Sequence, residues 1–141
     1  MSTAMCTSFK KELFEAVHNF LASGGDTFKF ALFTSSATLN EATTAYSATN
    51  EVAHANYAAG GFALTNVNPS TSGTTALATF SANPTWISVS FTTSQGLLYN
   101  SSKSNKAVAT FDFGGNQTVT AGDFMVTIPP ATASTALLRL L

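Results

Sequence analysis

The sequence predicts a mainly β fold, an antiparallel β-sandwich or jelly roll of about eight short strands with one short N-terminal helix. Three observations lead there. Apolar residues alternate with hydroxyl-bearing ones over much of the chain, the period of a strand half buried against a core. The alternating runs are separated by polar and glycine-containing turns at intervals of roughly ten residues. A helical spacing of three and four occurs only near the start.

That spacing joins Phe9, Leu13, Ala16, Val17 and Phe20, with Phe14 and Leu21 widening the stripe, and predicts a helix over residues 8–22. Thr7 or Ser8 offers an N-cap, and Ser23-Gly24-Gly25 a left-handed stop. Residues 27–34 read as the first strand, with Phe28, Phe30 and Leu32 on one face and Lys29, Ala31 and Phe33 on the other. Residues 62–67 and 74–80 are further strands, and the Thr-Ser-rich residues 70–75 a loop. In residues 86–92, Ile87, Val89 and Phe91 alternate with hydroxyls and are expected to face the core. Residues 96–99 and 106–113 form a hairpin around the polar loop 100–105, and the second run ends at Gly114-Gly115. Phe124, Val126 and Ile128 share one face of a strand stopped by Pro129-Pro130, and residues 136–140 form the last.

Residues 35–61 differ. They hold small polar residues and two tyrosines and end in Ala58-Ala59-Gly60-Gly61, so they read as a long loop, with or without short strands of its own. Loops above about 15 residues are uncommon in compact domains unless they bind something. No repeat or linker divides the chain, so residues 1–141 are expected to form one domain. A chain of 141 residues is long enough to bury about two thirds of its unfolded surface.

Composition narrows the function. Charged residues make up 9% of the chain, where roughly 25% is usual. The polar share comes from 22 Thr and 16 Ser, with 22 Ala beside them. Six Lys or Arg against seven Asp or Glu give a net charge of −1, too little positive charge to hold phosphates or an anionic bilayer, so neither nucleic acid nor membrane is an expected partner. No apolar run reaches the ~18 residues of a membrane span, and the first residues lack a leader's basic-then-apolar layout, which predicts a soluble, unprocessed chain. Cys6 is the single cysteine and can form neither an internal disulfide nor a cysteine zinc site.

Convergent titratable groups are scarce. His18 falls on the polar side of the predicted helix and His54 lies in the long loop near Glu51; both read as solvated. Cys6 has no positioning motif that would make it a nucleophile with either histidine. Asp112 and Asp123, at the ends of adjacent predicted strands, are the carboxylates that could act as acid and base or share a hard cation, but near glycine turns they read as solvated or turn-capping. The paired glycines match no phosphate-cradling pattern, and the acceptor triplets at Asn100 and Asn116 matter only in a secreted eukaryotic protein. Most of the twelve Phe fall in phase with strand alternation, so core packing is favoured over base stacking. The expectation is a protein with no catalytic residue, no metal, no cofactor and no small-molecule substrate.

The run FKFALFTSSATLN at residues 28–40, then TAY at 44–46, NEV at 50–52 and YAAGG at 57–61, resembles small structural proteins of tailed-bacteriophage virions. In the second half Trp86, GLLYN at 96–100, AVATFDFGG at 107–115, GDF at 122–124 and Ile128-Pro129 look like the rest of that pattern, so the likeness spans nearly the whole chain. The resemblance implies a β-sandwich made in the bacterial cytoplasm and placed on a particle, foremost as a capsid cement, or decoration, protein that binds the major capsid protein or other virion proteins as a homo-oligomer such as a trimer. The candidate partner-binding residues are Phe9, Leu13 and Phe14 on the helix and Tyr46 and Tyr57 in the long loop. Two alternatives accompany it: a tail or head-tail connector component, and a carbohydrate-binding receptor-recognition module using Tyr46, Tyr57 and Trp86.

Overall fold

The computed structural model describes residues 3–140. Among the described residues two antiparallel sheets build an eight-stranded β-sandwich with one short helix. In chain order the elements are β1 (Ala4–Met5), α1 (Thr7–Phe14), β2 (Phe28–Phe33), β3 (Phe62–Ala63), β4 (Thr65–Ser72), β5 (Thr75–Ser81), β6 (Thr85–Asn100), β7 (Lys106–Met125) and β8 (Leu138–Leu140). The larger sheet runs β1-β7-β6-β2-β3, and the smaller runs β4-β5-β8.

The 16-residue β6 and the 20-residue β7 form the spine. Each joins two runs that the sequence separates. Gly114-Gly115 does not end a strand: Thr93 pairs Gln117 while Gln95 pairs Asp112, so residues 113–116 bulge opposite Ser94 and pairing then resumes. Gly114 at φ 81° and Gly115 at φ 137° supply backbone that other residues adopt poorly. A second irregularity lies between Trp86 and Val89, where Ser88 takes φ 54°. It breaks the alternation, so Val89 is fully buried while Ile87, expected beside it in the core, is 64% exposed. Residues 70–75 are likewise no loop, because β4 and β5 pair up to Ser72 and Thr75.

β2 lies between β6 and β3, and both its faces are covered. On one side Phe28 meets Phe80 of the small sheet at a ring separation of 5.7 Å and stacks on Phe20 at 4.4 Å, while Phe30 meets Phe111 at 5.5 Å. On the other, Phe33 meets Tyr46 from the long loop at 6.3 Å. Each fully buried Phe contributes about 1.5–3 kcal/mol of transfer free energy, so this strand anchors both layers.

The helix is half the expected length. α1 ends at Phe14 because the following residues form a reversing cap: Val17 N–H donates to Glu12 O and Ala16 N–H to Leu13 O, with Ala16 left-handed at φ 57°. The N-cap is Cys6, neither Thr7 nor Ser8, and its side chain makes no cap bond. Residues 17–22 therefore turn back over the core instead of continuing the helix, and Phe20 is half-buried by stacking on Phe28 rather than by a helical stripe.

Candidate functional site

Two polar clusters hold the irregular segments to the sheets. The first joins α1, the turn after it and the β6–β7 hairpin. His18, whose side chain is fully buried rather than solvated, donates from Nε2 to Glu12 Oε1 at 2.9 Å. Its Nδ1 accepts from Asn100 Nδ2 at 3.0 Å, an orientation fixed because Asn100 Oδ1 accepts from Ser102 N–H. Asn100 also donates to Asp26 Oδ2 at 2.8 Å, Lys103 reaches Asp26 Oδ1 at 3.0 Å, and Lys106 reaches Glu12 Oε2 at 3.1 Å. Burial alone would raise both carboxylates, but it is outweighed. Hydrogen bonds from His18 and Lys106 hold Glu12 below its ordinary value, and those from Asn100, the Asn19 N–H and Lys103 do the same for Asp26.

The composition of this cluster resembles an acid–base relay, yet both ring nitrogens of His18 are committed to protein partners and neither meets solvent. It fixes the chain segment between α1 and β2. Cys6 is also buried, and burial with the nearby Glu12 charge pushes its thiol up to about 11, which leaves it a poor nucleophile.

The second cluster gathers the long loop around Glu51. Tyr46 donates to Glu51 Oε1 at 2.6 Å, and Oε2 accepts from Tyr57 at 2.8 Å and from Gly60 N–H at 2.9 Å. Tyr99 of β6 stacks on Tyr46 at 4.6 Å and donates to Gly60 O at 2.6 Å. Burial, with the Glu51 charge adding to it, pushes Tyr99 up to about 12 and raises Tyr46 and Tyr57 as well. The loop is thus ordered, bridged to β2 at Phe33–Glu51 and to β7 at Ala45–Lys106. His54 does not pair with Glu51; its Nδ1 accepts from Asn56 N–H.

The residues singled out by sequence divide accordingly. Phe9 is 2% exposed and Tyr57 5%, so both belong to the core and present no surface. Tyr46 is half-buried in the Glu51 cluster, and Trp86, packed against Tyr57 at 5.5 Å, is buried. Leu13 is half-buried and lines a groove, and Phe14 is 94% exposed. Asp112 and Asp123 do not converge: Asp112 caps the Gly114 N–H of its own turn, and Asp123 accepts from Ser88 N–H across the strand pair. No group of three or more His, Cys, Asp or Glu stands together as a metal site among the described residues. The roles of Asn100 and Tyr99 in these clusters were not legible in the sequence, since a loop-edge Asn and a strand Tyr carry no signal of the distant residues they bond.

Outside these clusters the surface is weakly charged and hydroxyl-rich, as in the exposed Thr92–Thr118 hydroxyl pair at 3.0 Å. Phe14, Leu21, Ile87, Met125 and Leu140 stand on it with 49% or more of their surface exposed. Between α1 and the small sheet lies an apolar groove of about 140 Å³. Comparison with protein-family models, curated proteins and solved structures finds no match to the chain.

Proposed function

We propose that this protein is a non-enzymatic structural component of a tailed-bacteriophage particle, and specifically a capsid cement protein that stabilises the shell by binding the major capsid protein. The observation that carries the reading is the placement of charge and apolar surface. Glu12, Asp26 and Glu51 are turned inward to hold α1 and the long loop, while large apolar side chains stand on an outer surface of hydroxyls and small residues. A surface of this kind suits close packing among neighbours: few ions must be stripped of water when such surfaces meet. The sequence resemblance to virion structural proteins points the same way.

The carbohydrate-recognition alternative loses its binding platform, because Tyr57 and Trp86 are each 5% exposed and Tyr46 is stacked on Tyr99. The tail or connector alternative shares the same surface chemistry and differs in stoichiometry. Adding the purified chain to particle shells that lack it tests the proposal: a cement protein binds in numbers set by the shell lattice and raises the temperature at which shells disrupt. Shells that bind no chain, or bind it without gaining stability, would refute the cement role.

A further inference from the structure

We infer that His18 is a proton-operated latch: a proton added to its ring in mild acid displaces the Asn100 amide and breaks the hold of that amide on the turn at Ser102. The device is independent of the particle reading above. The Asn100 amino group has two N–H bonds and both are used, one to Asp26 Oδ2 at 2.8 Å and one to His18 Nδ1 at 3.0 Å. The amide cannot be reversed. That would set its oxygen against the Asp26 carboxylate and its amino group against the Ser102 N–H, which donates to Oδ1 at 3.0 Å. The place beside Asn100 therefore suits only a ring with a bare Nδ1. A second ring proton sets two donors face to face, where the His18 side chain and Asn100 are both 0% exposed and water offers no substitute.

The charged ring keeps partners, so the rearranged chain stays folded. Nε2 still donates to Glu12 Oε1 at 2.9 Å, and Asp26 Oδ2, bonded to the same amino group, becomes the acceptor for Nδ1 once the amide withdraws. The other groups around the ring do not compete for the proton. From α1 comes Glu12, with Lys106 of β7 on its second oxygen; from the segment before β2 comes Asp26, with Lys103 of the hairpin turn on its second oxygen. The Cys6 thiol, at the start of α1, is pushed up to about 11 by burial and stays neutral, while the hydrogen bonds that hold Glu12 and Asp26 below their ordinary values keep both ionised in mild acid. The rings of Phe9, at 4.9 Å, and Phe28, at 6.4 Å, carry no charge. Between about pH 7.5 and 5.5 the imidazole is thus the one group of this cluster whose type changes charge.

Nuclear magnetic resonance of the full chain with nitrogen-15 label tests this. In neutral solution His18 is expected to carry its proton on Nε2 alone. On acidification Nδ1 gains a proton, the Asn100 side-chain amide signals shift, and the protection of the Ser102 N–H against hydrogen exchange falls by about tenfold, the equivalent of one lost hydrogen bond. The amides of Phe30 and Leu98, paired between β2 and β6, keep their protection. His54→Gln leaves the whole response in place, because His54 bonds the Asn56 N–H in the long loop. A His18 ring with a proton on Nδ1 in neutral solution would overturn the inference. So would a protonated ring with the Asn100 and Ser102 signals unmoved, a ring that stays neutral until the whole fold is lost, or a loss of Ser102 protection that the β2 and β6 amides share.

Discussion

The Tyr57 hydroxyl bridges two segments that are far apart in sequence: it donates to Glu51 Oε2 at 2.8 Å and accepts from Leu32 N–H at 2.9 Å. One oxygen therefore ties the long loop to the most buried strand of the protein. Tyr57→Phe keeps the ring against Trp86 but leaves the Leu32 amide without its acceptor. The expected loss is about 1–3 kcal/mol in urea unfolding, with faster hydrogen exchange at Leu32. Unchanged exchange there would show that the bridge carries no load.

The loop as a whole depends on the Glu51 carboxylate, which collects three donors. Glu51→Gln keeps the shape but replaces one accepting oxygen by a donor, so at least one of these bonds is lost. Limited proteolysis is expected to cut first within residues 35–61, leaving the sandwich intact. Cleavage that begins elsewhere, at the same rate as in the unmodified chain, would contradict this.

Much of the architecture is legible in the sequence because strand alternation is a local signal: Phe28, Phe30 and Leu32 read as core and are core. The helix boundary was not legible. The apolar spacing runs on to Phe20, and glycine is the usual left-handed cap, so the stop is sought at Gly24. The chain instead places Ala16 at φ 57°. In the same way Ile87 keeps its alternation on paper, and only the bulge at Ser88 turns it outward. The polar clusters were hidden for a different reason. His18 and Asn100 are 82 residues apart, and no periodicity reports a bond across that separation.

Ala16 supplies the next prediction. A left-handed non-glycine residue costs roughly 1–2 kcal/mol, partly offset on substitution by the greater unfolded-state freedom of glycine. Ala16→Gly is expected to stabilise the protein by up to about 1 kcal/mol, read as a higher urea midpoint at unchanged slope. A lower midpoint would show that the cap is not strained.

Gly96 lies beneath the Phe30 ring. A Cβ there would stand 2.5 Å from Phe30 Cζ, closer than any real contact, and Phe30 is 1% exposed with little room to withdraw. Gly96→Ala is expected to destabilise by about 1–3 kcal/mol through overpacking. Thermal unfolding reads the effect, and an unchanged midpoint would mean that the core accommodates the methyl group.

Acid should weaken the fold through Glu12 and Asp26. Both titrate lower in the folded chain than in the unfolded one, so as pH falls the unfolded chain takes up protons first. Their contribution is complete above the ordinary carboxylate values of about 4 and is lost as pH drops through the lower folded values. Urea midpoints measured from neutral pH downward should fall in that window. Asp26→Asn should lower stability at neutral pH and flatten the acid slope; an equally steep slope would assign the acid sensitivity to other groups.

A cryo-electron-microscopy reconstruction of the assembled particle would show where this molecule works. For a capsid cement protein, density for the eight-stranded sandwich is expected on the outer capsid surface, repeated with the symmetry of the shell and seated where capsid subunits meet. Density confined to the tail, or purified particles that contain none of the chain, would contradict it.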